Sequence, residues 1–113
     1  MVVIDSVEFG EIKINGKIYY SDMIVWWTGK SKYRLKSDIF TMSEFFQIRK
    51  KNPEIIVIGT GIVGRLQVPT EIRDLAKEEN IKLFVETSEK AVELFNAFIN
   101  NKKKTVAVMH TTG

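Results

Sequence analysis

The first third of the chain alternates. Glu11-Ile12-Lys13-Ile14 steps between polar and apolar, Asn15-Gly16 intervenes, and Lys17-Ile18-Tyr19-Tyr20 resumes. Successive strand side chains point to opposite faces, so this rhythm belongs to half-buried strands. Asn-Gly suits a two-residue hairpin, whose central residues both take positive φ. Met23–Trp27 is a β-branched and aromatic run that predicts a third strand, and Lys30–Lys36 predicts a fourth.

Beyond residue 40 the period changes. Thr41-Met42-Ser43-Glu44 has the spacing of a capping box, in which hydroxyl and carboxylate each satisfy a free amide. Phe45, Phe46 and Ile48 continue a short helix that must stop before Pro53, since proline disfavours helical backbone in the residue ahead of it. Ile55-Ile56-Val57-Ile58 is apolar without interruption, the pattern of a strand covered on both faces. Pro69-Thr70 opens a second helix, and Asn80 is placed to end it. Ile81–Val85 reads as a further buried strand, Thr87 or Ser88 as the cap of a third helix, and Thr105–Met109 as the last strand. The order β-α-β-α-β with short connections predicts parallel strands joined by crossovers, with antiparallel strands added from the N-terminal part.

Gly59-Thr60-Gly61-Ile62-Val63-Gly64 matches the dinucleotide-binding pattern G-x-G-x-x-G directly after a strand, and Glu86 lies 22 residues past Gly64, near where a ribose-binding acid belongs. That site needs a continuous helix opening at the second glycine. Pro69 would fall inside such a helix, at a cost of about 3 kcal/mol. Arg65-Leu66-Gln67-Val68 instead reads as extended chain, which leaves a strand-end turn whose free amides suit an anion.

His110 is the only histidine and follows the last strand. Strands that run parallel bring Gly59, Thr60, Gly61, Thr87 and His110 to one sheet edge, where ligands of open α/β sheets bind. With Asn96, which interrupts the apolar face of the third helix, these form the candidate ligand site. No nucleophile–base–acid set stands among them. An enzymatic alternative uses His110 as a base, with the turn amides stabilising an anion. Trp26, Lys30, Lys32, Arg34 and Lys36 form a second candidate, for nucleic acid: alternation puts the four cations on one face beside an aromatic ring. A solvated edge strand with lysines that block edge pairing explains the stripe more economically, so nucleic acid is not an expected partner. Adjacent strand residues face opposite ways, so one of Trp26 and Trp27 is expected in the core. Lys102-Lys103-Lys104 complements the negative end of the preceding helix.

Taken together, the sequence resembles the small family containing the adipogenesis-associated Mth-like domain protein and a mitochondrial assembly factor for respiratory complex I. The matching stretches are Phe9–Gly16, Val25-Trp26 with Gly29 and Ser31, Ile56–Gly61, Leu66–Pro69, Glu86-Thr87, Ala91-Val92, Phe95-Asn96-Ala97 and Val106–Thr112. The resemblance implies a three-layer α/β fold with a mixed central sheet and an added N-terminal β-hairpin layer. It implies an extended segment between the glycine turn and Pro69. It carries no agreed enzymatic activity, since characterised members act in assembly or regulation. Gly113 stands where close relatives have a terminal cysteine, so no thiol chemistry is shared.

Composition narrows the remaining choices. At 113 residues and 44% hydrophobic, the chain is expected to be one domain over residues 1–113. A charge of +3 is mildly basic and does not by itself imply nucleic acid. Zero cysteines exclude disulfides and thiolate sites, and a single histidine argues against a transition-metal centre. No apolar run reaches the ~20 residues a membrane span needs, and the N-terminus lacks the pattern of a secretory signal. The expectation is a cytoplasmic binding or assembly module without a cofactor, engaging a protein partner or a small ligand and no membrane.

Overall fold

A computed structural model describes all 113 residues. The alternating N-terminal segments form an antiparallel sheet, β1 (Ile4–Glu8), β2 (Glu11–Ile14) and β3 (Lys17–Tyr19), in that spatial order. Asn15 and Gly16 take φ of 47° and 81°, as the hairpin turn requires. The layer contains the expected hairpin, β2–β3, and adds β1 as a third strand. β1 escapes the alternation rule because its pairing with β2 shifts register between Ile4 and Ser6.

The remaining strands, β4 (Asp22–Trp26), β5 (Ser31–Arg34), β6 (Ile55–Gly59), β7 (Lys82–Glu86) and β8 (Thr105–Met109), form one mixed sheet ordered β5-β4-β8-β6-β7. β6 runs parallel to β7 and β8, while β4 is antiparallel to β5 and β8. Three helices cover it: α1 (Met42–Arg49), α2 (Thr70–Glu78) and α3 (Ser88–Asn100). The connections β6-α2-β7 and β7-α3-β8 cross the sheet in opposite directions. Right-handed crossovers then require α2 and α3 on opposite faces.

Alternate residues of the central strands accordingly serve two cores. Ile55, Val57, Met23, Val25, Ala107 and Met109 pack with α3 and the N-terminal sheet. Ile56, Ile58, Ile24, Val106 and Val108 pack with α1 and α2. The uninterrupted Ile55–Ile58 run is thus divided between the two, each side chain contributing about 1.5–3 kcal/mol on burial. The order is three layers: N-terminal sheet with α3, central mixed sheet, then α1 and α2.

Thr41 forms the expected capping box, accepting from the Glu44 amide while Glu44 accepts from the Thr41 amide. Asn80 ends α2 with φ 59°. No helix opens at Gly61. Residues 61–64 form a turn, with bends at Ile62 and Val63 and positive φ at Gly61 and Gly64. Residues 65–68 then run without helix, Gln67 bridging to Ile39, and α2 begins at Thr70. Two expectations need correction. The expected buried strand at 81–85 is β7, the outermost strand; Ile81 ahead of it is buried, but Leu83, Phe84 and Val85 are only half-buried because nothing pairs with its outer edge. Thr87 stands at the α3 N-cap position but makes no side-chain cap. No helix is long and apolar enough to cross a membrane.

Candidate functional site

The loops after β6 and β7 diverge to opposite faces of the sheet, and open α/β sheets bind ligands in such a crevice. Here it is stitched shut. Thr60 N–H and hydroxyl both donate to the Glu86 carbonyl, at 2.8 and 3.0 Å. Ser88 N–H donates to the Gly61 carbonyl at 3.0 Å, and Gly61 N–H returns a bond to Ser88 Oγ at 2.8 Å. The Ser88 hydroxyl then donates to the His110 carbonyl. That is why Ser88 does not cap α3.

The turn amides expected to be free are occupied by the chain itself. Ile62 N–H donates to the Thr112 carbonyl, while Val63 and Arg65 N–H donate to that of Gly113. Gly61 has φ +107°, and a Cβ there would sit 2.3 Å from the Thr112 carbonyl oxygen. A Cβ at Gly59 would meet Ser88 Oγ at 2.8 Å. Gly61 is required by the tail that crosses it and Gly59 by the side chains of Ser88 and Met109, without reference to a pyrophosphate.

Beneath this tail lies a buried ionic network. Asp22, at the start of β4, is the strand neighbour of Arg34 at the end of β5. Asp22 Oδ2 accepts from His110 Nδ1 at 2.7 Å and from Arg34 Nη1 at 3.0 Å. Its Oδ1 accepts from the Thr111 amide and hydroxyl at 3.0 and 3.1 Å. Four bonds fill the acceptor sites of one carboxylate. Because an ionised carboxylate only accepts, the proton lies on His110 Nδ1. Arg34 also grips Glu44 through two nitrogens, at 2.6 and 3.1 Å, and donates to the carbonyls of Ser37 and Ile39. All five of its N–H groups are engaged. Burial alone pushes the Asp22 carboxyl up; the bond from His110, the Thr111 amide, the charge of His110 and the Thr111 hydroxyl together outweigh it and hold the pKa below 3.8.

His110 thus has the carboxylate that a base needs, but the ring is wholly buried. Its Nε2 has only distant neighbours, Thr112 Oγ1 and Asp38 Oδ1, both at 3.5 Å. Neither His110 nor Gly59, Thr60, Gly61 or Thr87 lines any of the five main surface grooves. Asn96 is elsewhere: its amide brackets the backbone of Ile4, at 3.0 and 2.8 Å, and ties β1 to α3. Arg34 leaves the predicted cationic stripe. That face of β5 lies under α1, so Arg34 is buried against Glu44 while Lys30, Lys32 and Lys36 stay exposed. Trp26 and Trp27 do not divide into core and surface. β4 ends at Trp26, and both indoles are half-buried, edge to face at 6.2 Å.

Sequence reasoning missed Asp22, Ser88 and the buried pairing of Arg34 and Glu44. Asp22 carried one signal, a lone acid opening an apolar strand. Its partners lie 12 and 88 residues away, which no local pattern reveals.

A three-layer α/β domain whose parallel-strand edge is closed by its own tail is the class that fold and site define. The chain belongs to the family described as protein of unknown function (DUF498/DUF598), which it matches over residues 4–110. Its fold is that of a conserved hypothetical protein from Pyrococcus horikoshii OT3, with 24% identity, a TM-score of 0.86 and coverage of 97% of this chain and 98% of that one. It is also similar to a structure titled MT938, at 20% identity, TM-score 0.85 and full coverage of both chains. A Mth938-like domain from Bordetella pertussis superposes at 15% identity and TM-score 0.78, over 98% of this chain and 86% of that one.

Proposed function

We propose that this protein is a non-enzymatic docking module that engages a protein partner at the edge where the parallel strands end. One observation carries the reading. Leu35, Tyr20 and Tyr33, exposed by 91%, 78% and 68%, line one groove of about 600 Å³ with Asp22, Arg34 and Thr111 beside them. Exposed apolar side chains gathered around a groove mark interaction surfaces, and tyrosine is prominent among binding hot spots. Asp22, Arg34 and Thr111 are spent on one another and on the chain, so what remains for a partner is chiefly this apolar rim with the exposed Lys36 beside it. Gly59, Thr60, Gly61, Thr87 and His110 serve as its frame. The resemblance to a mitochondrial assembly factor extends the proposal to an assembly role, and the cysteine-free composition favours a cytoplasmic setting.

The test is quantitative affinity recovery of partners by the parent and by Tyr33→Ser/Leu35→Ser, with unfolding midpoints measured alongside. A partner retained by the parent and lost by the equally stable variant supports the reading. Identical recovery by both rejects it. Turnover of a metabolite that disappears in His110→Gln would replace it with the enzymatic alternative, for which the 2.7 Å Asp22–His110 bond is the favouring observation.

A further inference from the structure

The opposite edge of the central sheet carries a second, independent groove. Trp26 pairs with Val106 at the start of β8, so the β4–β5 turn lies at the far end from His110. Trp26, Trp27, Lys30, Lys32, Gln47 and Lys51 line a groove of about 750 Å³, within the usual range of small-ligand sites. Its turn is fixed: Trp26 N–H donates to the Lys30 carbonyl, Gly29 N–H to that of Trp26, and Gly29 takes φ +94°. Gln47 comes from the last turn of α1 and Lys51 from the turn that follows it, so two segments apart in sequence build one wall each.

Its charge is one-sided. Three ammonium groups line the groove and no carboxylate does. None of the three makes an ion pair within the chain. Like charges gathered beside half-buried aromatic rings are relieved by an anion that also presents a flat apolar face. The cations are all lysines. Lysine meets phosphate as a point charge, whereas carboxylate recognition favours the planar fork of arginine. Indole rings offer a stacking surface to a planar base, and a glutamine amide can read a base edge.

We propose that this groove takes a nucleotide unit, with the base against Trp26 and Trp27 and the phosphate among Lys30, Lys32 and Lys51. The unit comes either as a free nucleotide or as a residue of a single strand. The site shares Trp26, Lys30 and Lys32 with the stripe seen in the sequence. Arg34 and Lys36 drop out, and Gln47 of α1 and Lys51 of the turn after it enter.

Both tryptophans of the chain lie in this groove, so intrinsic fluorescence reports on it directly. The experiment titrates the full chain with AMP, ATP, an oligothymidylate of about ten nucleotides, inorganic phosphate and a glutamate-rich peptide. Saturable quenching by a nucleotide or the oligonucleotide is expected, and the more effective of the two identifies the source. Lys30→Glu/Lys51→Glu should weaken that binding about tenfold or more and flatten its salt dependence, which for single strands is about −0.7 in log–log slope per phosphate contact. Lys102→Glu/Lys103→Glu matches the charge change at another exposed site and should leave binding as it was. The proposal is overturned by absence of quenching at low salt, by equal weakening in the two charge variants, or by quenching with the acidic peptide alone. Tyr33→Ser/Leu35→Ser should bind nucleotide like the parent, which keeps this site separate from the docking edge.

Discussion

The two ends of the central sheet use polar residues in opposite ways. At the end marked by Asp22, Gly59 and His110, every buried polar side-chain atom is spent on another part of the chain. At the end marked by Trp26 and Lys30, three lysines and two indoles line an open groove without an internal ion pair. A buried charge without partners costs several kcal/mol, so the first arrangement is the only one compatible with burial. An exposed lysine costs nothing to leave unpaired, so the second is retained without help to folding. Polar residues that saturate each other hold a fold, and those left over are the better guide to a ligand.

The most severe break in the comparison is Gly61→Val. Its Cβ would collide with the tail at a φ that valine avoids, and the loss should reach about 4 kcal/mol or more, seen as failure to give a cooperative urea transition. Next come Asp22→Asn and Arg34→Met, each of which strands a buried partner and should cost about 3–5 kcal/mol in urea unfolding. If either variant unfolded at the parent midpoint, the network would not be a structural clamp. The pH dependence sharpens the same point. Folding lowers the Asp22 pKa from 3.8, so its stabilisation is complete above that value and is lost as pH falls through the lower, folded one. Thermal midpoints of the parent should therefore drop below about pH 4, and those of Asp22→Asn should drop less steeply. Thr41→Ala removes the capping hydroxyl and loosens the Glu44 that Arg34 grips; calorimetry should register about 1 kcal/mol. At the other end, Lys30→Glu/Lys51→Glu should change stability by less than about 0.5 kcal/mol, with only ligand binding affected. A large loss there would mean that the two ends do not differ as described.

Much of the architecture was legible along the chain. Asn15-Gly16, the Thr41–Glu44 box, the Ile55–Ile58 run and Pro69 each depend on φ, capping or period within a few residues, and each appears where it was expected. Pro69 also excluded the dinucleotide helix, and the structure replaces it with a turn and a run without helix. β1 and the edge position of β7 were not legible, because pairing register and neighbours are set by other strands.

For the candidate sites the division is sharper. From its sequence alone the protein is bound to be an α/β domain with Gly59, Gly61 and His110 near one edge, since strand order and short connections leave little else. Tertiary structure alone decided what those residues do. The tail covers the glycine turn, Asp22 claims His110, and α1 buries Arg34 while leaving Lys30 and Lys32 with Lys51. The reason is physical: conformational preferences are local, but the solvation and pairing of a polar group depend on whichever segments folding brings beside it.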